Sequence, residues 1–209
     1  IRLGLVGSEM CIRDSIVTSR EALLMAAIIV LLGLVATRFP SFVEPSNLLA
    51  VFNDTSPLIL LAIGQMIVIL TKCIDLSVAA NLALTGMVVA MINVVAPDVP
   101  VPVTLAIAIG LGTFMGMFNG VLVWKLDIPP IVVTLGTMTI FRGIIFLISD
   151  GKWVNSHEMS ETFKAFPRTE ILGLPVMGWT AIFAIILFSL VMTRTTIGRA
   201  FYAVGGNPH

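Results

Sequence analysis

Charge is what this sequence has least of. Only 11% of its residues are Asp, Glu, Lys or Arg, against roughly 25% in soluble domains. Its 12 basic residues balance its 12 acidic ones. That leaves no basic surface for nucleic acid and no polybasic patch for a membrane face. Cysteine is scarce as well: Cys11 and Cys73 are the 2 present, which excludes a disulfide framework and a cysteine-based metal site. There is no Gly-x-x-x-x-Gly-Lys loop, no Gly-x-Ser-x-Gly elbow and no pair of aspartates within the apolar segments. The chain therefore carries no Walker-type nucleotide site and no catalytic constellation of its own. His157-Glu158 opens a zinc-protease-like pattern, but Glu161 stands where the second histidine is needed. No cofactor and no metal is expected, and the pattern is that of a transport subunit rather than an enzyme.

What the chain has is apolar surface: 57% hydrophobic residues and a mean hydropathy of +1.05. About 20 apolar residues cross a bilayer. The runs predict an all-α polytopic bundle of about six spans, over residues 21–37, 57–71, 76–95, 103–124, 131–148 and 176–192. A short interfacial helix is expected just before the second span, over 47–52, with Ser46 ahead of it. Residues 4–15 resemble a translated sequencing adapter at the end of a gene fragment. Residues 1–15 are set aside as a non-native scar. The expected organisation is that scar, an incomplete transmembrane domain over 16–193, and a truncated cytoplasmic segment over 194–209.

The apolar run from 57 to 91 is too long for one span, and Lys72 and Asp75 interrupt it. A charge at the bilayer centre costs about 2.5–3.5 kcal/mol on insertion scales. The chain is therefore expected to turn here, at a membrane face or in a wet, protein-lined break. Asp75 or Ser77 is expected to cap the helix that follows. Further on, Gly112, Gly116 and Gly120 form a strip at spacing four, which reads as a helix-packing surface. Asn119 beside the strip reads first as an interhelical hydrogen bond. The polar side chains Asp75, Ser77, Asn81, Asn119, Thr134, Thr137 and Arg142 are the candidates for a pathway taken by a neutral polar solute. Such a set suits proton relay poorly, because a relay wants several buried carboxylates or histidines. Thr134 and Thr137 can also satisfy themselves on their own helix carbonyls. Arg142 cannot, and needs either a structural ion pair or a substrate role.

Residues 149–175 are the only long polar segment, with a short surface helix expected around Met159, Phe163 and Phe166 and with His157 solvated. The basic tail forms an amphipathic helix over 198–204, ended by Gly205-Gly206-Asn207-Pro208. Arg194 and Arg199 draw that tail to the cytoplasm, and six spans then place the N-terminus inside. The loop 96–102, free of Lys and Arg, lies outside with 149–175.

Three ordered stretches carry a resemblance. The first is Cys73-Ile74-Asp75-Leu76-Ser77-Val78 followed by Leu82-Ala83-Leu84-Thr85-Gly86. The second is Pro129-Pro130-Ile131-Val132-Val133-Thr134-Leu135-Gly136-Thr137-Met138 with Arg142-Gly143. The third is Thr196-Ile197-Gly198-Arg199-Ala200-Phe201-Tyr202-Ala203-Val204-Gly205-Gly206-Asn207-Pro208. Together they resemble ribose/rhamnose-type sugar ABC transporter permeases, of the branched-chain/monosaccharide permease superfamily. Ala79-Ala80-Asn81 is more similar to the rhamnose-type members. The resemblance implies an inner-membrane permease subunit importing a monosaccharide. It implies a cytoplasmic ABC ATPase, a periplasmic sugar-binding protein, a second permease subunit and the lipid bilayer as partners. Gly198, Arg199, Phe201, Tyr202, Gly205, Gly206 and Asn207 would then belong to the element that couples to the ATPase. Further spans would follow it. Two other readings use the same residues: an ion-coupled secondary transporter built on a discontinuous helix near Asp75, and a membrane scaffold that moves no solute.

Overall fold

The computed structural model describes residues 20–206. The run set aside as a scar, and Asn207 of the coupling segment, lie outside the described residues. The chain divides into two units, Ile1–Phe52 and Asn53–His209.

In the first unit, α1 (Arg20–Arg38) is followed by a 3-10 turn, Pro40–Val43. The Phe39 amide continues the helical pattern onto the Val35 carbonyl at 2.8 Å. Asn47 Nδ2 holds the turn by donating to the Phe42 carbonyl at 3.0 Å.

The helix α2 (Pro45–Leu70) crosses from the first unit into the second. Here the sequence reading is corrected. The expected interfacial helix and the second span are one helix of 26 residues, with Pro57 inside it. Pro45 opens the helix where its missing N–H is of no consequence. Pro57 removes one hydrogen bond, which a long apolar helix tolerates without ending. At 1.5 Å per residue α2 is about 39 Å long.

The second unit continues with α3 (Val78–Val95), α4 (Val101–Leu126) and α5 (Pro130–Ser149). These three run in alternating directions and pack on one another. Ala80, Leu84, Met115 and Phe141 form their shared core. Pro102 and Pro130 lie in the first turns of α4 and α5, and Asp127 and Asp150 adopt left-handed φ of 53° and 55° where those helices end. The connection 150–175 holds a five-residue helix α6 (Glu161–Ala165) and a hairpin, β1 (Glu170–Ile171) with β2 (Leu174–Pro175). Leu172 and Gly173, with φ of 53° and 78°, make its two-residue turn. The hairpin is absent from the sequence reading. The 19-residue α7 (Val176–Arg194) leads to α8 (Thr196–Gly206).

Five described helices, α2, α3, α4, α5 and α7, are long and apolar enough to cross a membrane, and α1 is shorter over its described residues Ala22–Arg38. Only 6–22% of the residues across the five spans are buried, so their flanks are open to lipid or to other helices. The fold is an all-α polytopic membrane bundle. The tryptophans fit a bilayer: Trp124 is near one end of α4, Trp153 follows α5, and Trp179 is in the first turn of α7. Those are interface positions, where an indole keeps one edge in the headgroups.

Candidate functional site

The break between α2 and α3 is a built turn. Lys72 has a left-handed φ of 59°. The Cys73 amide donates back to the Val68 carbonyl at 3.2 Å, and the Lys72 amide to the Ile69 carbonyl at 2.9 Å. That is a Schellman closure, with lysine where glycine is usual. Two residues on, Asp75 Oδ1 accepts from the Ser77 amide at 2.8 Å and from the Ser77 hydroxyl at 2.7 Å. So Asp75 supplies the cap to the start of α3, and the Ser77 side chain does not cap.

Ser77 is fully buried because a second element covers it: Asn119 Nδ2 of α4 donates to Ser77 Oγ at 2.7 Å. A relay of hydrogen bonds thus runs from α4 through Ser77 to Asp75. Asn119 is 95% buried, being 5% exposed, and its Oδ1 accepts nothing from the described residues. Thr134 on α5 closes the third side. Its hydroxyl donates to the Pro130 carbonyl at 2.9 Å and lies 3.4 Å from the Ile74 carbonyl. Asp75, Asn119 and Thr134 are among the residues that line a cavity of about 210 Å³, whose wall also includes Cys73, Gly116 and Gly120, while Ser77 lies behind it.

The glycine strip divides here. A β-carbon on Gly112 would touch Asn81 Oδ1 at 3.6 Å, so that end packs against α3. A β-carbon on Gly116 or Gly120 would meet nothing within 4 Å. The packing reading therefore holds within this chain at Gly112, while Gly116 and Gly120 leave space. Asn81 bridges α3 and α4: its Nδ2 donates to the Gly112 carbonyl at 3.3 Å and its Oδ1 accepts from the Thr85 hydroxyl at 3.3 Å. Thr137, buried in α5, donates to its own helix at the Val133 carbonyl, 3.1 Å away.

Arg142 lies apart from this cluster. It is exposed on α5, in a groove with Met87, Phe146, Lys152 and Trp153. Among the described residues it forms no ion pair; the sole pair is Lys164–Glu161. The structural salt bridge considered for it is not made among the described residues.

The opposite end of the second unit is fixed by a residue absent from the candidate list. Asn93, 1% exposed near the end of α3, donates from Nδ2 to Ser160 Oγ at 3.1 Å and accepts from the Ser160 amide at 2.8 Å. Ser160 in turn caps α6 through the Phe163 amide at 3.4 Å. The connection 150–175 is therefore fastened to the end of α3 remote from the Lys72 turn. In that connection Glu158 accepts from the Asn155 amide at 2.6 Å, a bond that holds its carboxyl below the usual carboxylate range. His157 is exposed there, and no metal-ligand cluster occurs among the described residues.

The tail lies at the Lys72 end. Thr195 Oγ1 accepts from the Gly198 amide at 3.2 Å and starts α8. The helix is described as far as Gly206, the second residue of the stretch expected to end it, and Asn207 and Pro208 lie outside the described residues. Gly205 also serves contact: a β-carbon there would overlap the Leu70 carbonyl at the end of α2, and one on Gly198 would overlap the Met192 and Val191 backbone at the end of α7. Phe201 is half-buried between them in sequence, while Ile197, Arg199, Tyr202 and Val204 are exposed. α8 is thus a helix seated on the ends of two spans, with Ile197, Arg199, Tyr202 and Val204 left exposed.

Three comparisons bear on this arrangement. Residues 47–209 match the family model described as branched-chain amino acid transport system / permease component. Curated relatives include autoinducer 2 import system permease protein LsrC of Enterobacter sp. (strain 638), 33% identical over 92% of this chain and 55% of that protein. The proteins of the same name from Photorhabdus luminescens and Escherichia coli (strain K12 / DH10B) are each 34% identical over 90% of the chain and 56% and 54% of their own length. The chain spans about half the length of the curated relatives it matches. No solved structure matches.

Proposed function

This chain belongs to the branched-chain amino acid transport system / permease component family, and we propose that it forms part of the membrane permease of an ATP-driven importer for a monosaccharide-type solute. The observation that carries the reading is the placement of α8. It is seated by Gly198 and Gly205 at the end of the second unit opposite the segment that Asn93 fastens. One end thus offers an exposed basic and apolar helix to a cytoplasmic ATPase, and the other offers a polar loop to a periplasmic solute-binding protein. This orientation follows the basic residues: Lys72, Lys125, Arg194 and Arg199 share the α8 end. The N-terminus is then cytoplasmic and the membrane is the bacterial inner membrane. A second permease subunit, the same or different, would cover open flanks of the spans.

The relatives are named for autoinducer 2 import, so that solute leads the proposal, ahead of the rhamnose-type substrate inferred from Ala79-Ala80-Asn81. The test is uptake by the full-length permease produced with its ATPase and binding protein, measured separately for autoinducer 2, L-rhamnose and D-ribose. Uptake is expected to stop when the ATPase is inactivated. Uptake that persists without the ATPase and collapses with an ion gradient would replace this reading with the ion-coupled one.

A further inference from the structure

We propose that the β1–β2 hairpin is a membrane anchor, whose tip, Ile171 and Leu172, inserts into the headgroup–acyl boundary of the bilayer beside the first turns of α7. The proposal rests on the membrane bundle and is independent of the solute and of the ATPase.

The tip goes against the usual chemistry of a turn in water. Leu172 and Gly173 both have positive φ, 53° and 78°. A two-residue turn of this kind normally carries Asn-Gly or Asp-Gly, because glycine and short polar residues accept that conformation. The β-carbon of leucine disfavours it. Leu172 gains little from packing in this chain, since it is 88% exposed, and Ile171 beside it is exposed as well. A bulky apolar side chain held in this conformation and left bare has no use in water. Against lipid, that side chain is what the position needs.

The hairpin is fixed alongside α7 rather than projecting from it. Trp179 Nε1 donates to the Ile171 carbonyl at 2.8 Å, and the Val176 amide donates to the Thr169 carbonyl at 2.9 Å. Ile171 and Leu172 share one groove with Val176, Trp179, Thr180 and Phe183. The last four recur at helical spacing, so they form one stripe along α7. Phe183, 66% exposed, lies about 10 Å along the axis from Val176 at 1.5 Å per residue. The tip thus borders the first part of a span, and its apolar surface is continuous with the open flank of that span.

Charge follows the same division. Arg168 and Glu170 stand exposed at the base of the hairpin. From Ile171 to Thr193 there is no Asp, Glu, Lys or Arg. The uncharged run therefore begins in the hairpin, before α7 does. Trp179 marks the boundary, as an indole with one edge in the headgroups. Unpaired backbone groups are costly in hydrocarbon, and here Ile171 pairs with Leu174 across the hairpin. The depth reached is then about 5–10 Å, that of an interfacial element. Asn93 holds Ser160 at the end of α3, and the anchor holds the other side of the same connection.

The test uses the full-length permease in vesicles of phosphatidylethanolamine and phosphatidylglycerol, with its other cysteines replaced by serine. A nitroxide is attached at Leu172→Cys or at Glu170→Cys. Its collision rates are measured with oxygen, which concentrates in lipid, and with a neutral nickel chelate, which stays in water. The oxygen-to-nickel ratio is expected to be several-fold higher at 172 than at 170. Ile171→Cys repeats the reading at a residue outside the turn and is expected to agree. A ratio at 171 and 172 no higher than at 170 would overturn the anchor by placing the tip in water. Low collision rates with both reagents would also overturn it, by placing another span or a second subunit over the groove. Leu172→Asn, which suits the turn in water, is expected to lower the ratio read at 171. An unchanged ratio there would contradict the anchoring role of Leu172.

Discussion

The backbone of Gly205 rests so closely on the carbonyl of Leu70 that no side chain fits between them. This contact ties the last described helix to the end of α2, immediately before the Lys72 turn. Movement of α8 therefore reaches the turn, and the Asp75–Ser77–Asn119 relay behind it, through two residues of backbone.

Gly205→Ala tests that seat. Overpacking of this kind costs about 1–3 kcal/mol, and α8 is expected to lift from α2. Gly206→Ala, with nothing within 4 Å of its β-carbon, is expected to be silent. Co-purification of the ATPase with the full-length permease distinguishes them: reduced for Gly205→Ala, unchanged for Gly206→Ala.

Lys72→Gly tests the turn. The left-handed conformation costs an ordinary residue about 1–2 kcal/mol, and glycine avoids that cost. The variant is expected to raise the unfolding midpoint in detergent, and Lys72→Val, whose branched side chain is worse there, to lower it.

Ser77 and Asn119 are coupled through their hydrogen bond. Ser77→Ala leaves a buried amide donor unpaired and is expected to cost about 1–3 kcal/mol. With Asn119→Leu added, the double variant is expected to be more stable than the summed single effects predict, by about 0.5–3 kcal/mol. A double-mutant cycle on thermal unfolding measures this, and strict additivity would mean that the bond contributes nothing.

Asn93→Leu releases the far end. Hydrogen exchange over residues 160–168 is expected to quicken as the Ser160 amide loses its partner, while ATPase association stays unchanged. Equal exchange in the variant would show that Asn93 does not fasten the loop.

Much of this was legible in the sequence, and the exceptions have physical causes. Apolar runs gave the membrane helices, and the charges at Lys72 and Asp75 gave the break. Pro57 misled, because proline ends a helix in water more readily than in a long apolar one. Gly205 lies in a run that reads as a helix stop, and its missing side chain also admits the Leu70 carbonyl, a contact that no local pattern announces. Gly116 and Gly120 carry the spacing of a packing strip, and spacing alone does not say whether a neighbour fills it. Asn93 was visible as a polar residue in a span, but its partner Ser160 is 67 positions away, and no local pattern joins them. Asn119 was read as an interhelical bond, and its donor does make one to Ser77. Its unpartnered oxygen is a fact of three dimensions.

The most direct measurement is chemical cross-linking from α8 in intact membranes. A cysteine at Val204, exposed on α8, in the full-length permease is expected to form an adduct with the co-produced ATPase and to react with impermeant reagents from the cytoplasmic side alone. A cysteine at Trp153, beside the far end of α5, is expected to show the reverse sidedness and no adduct. An adduct from position 153, or labelling of position 204 from the periplasmic side, would contradict the account.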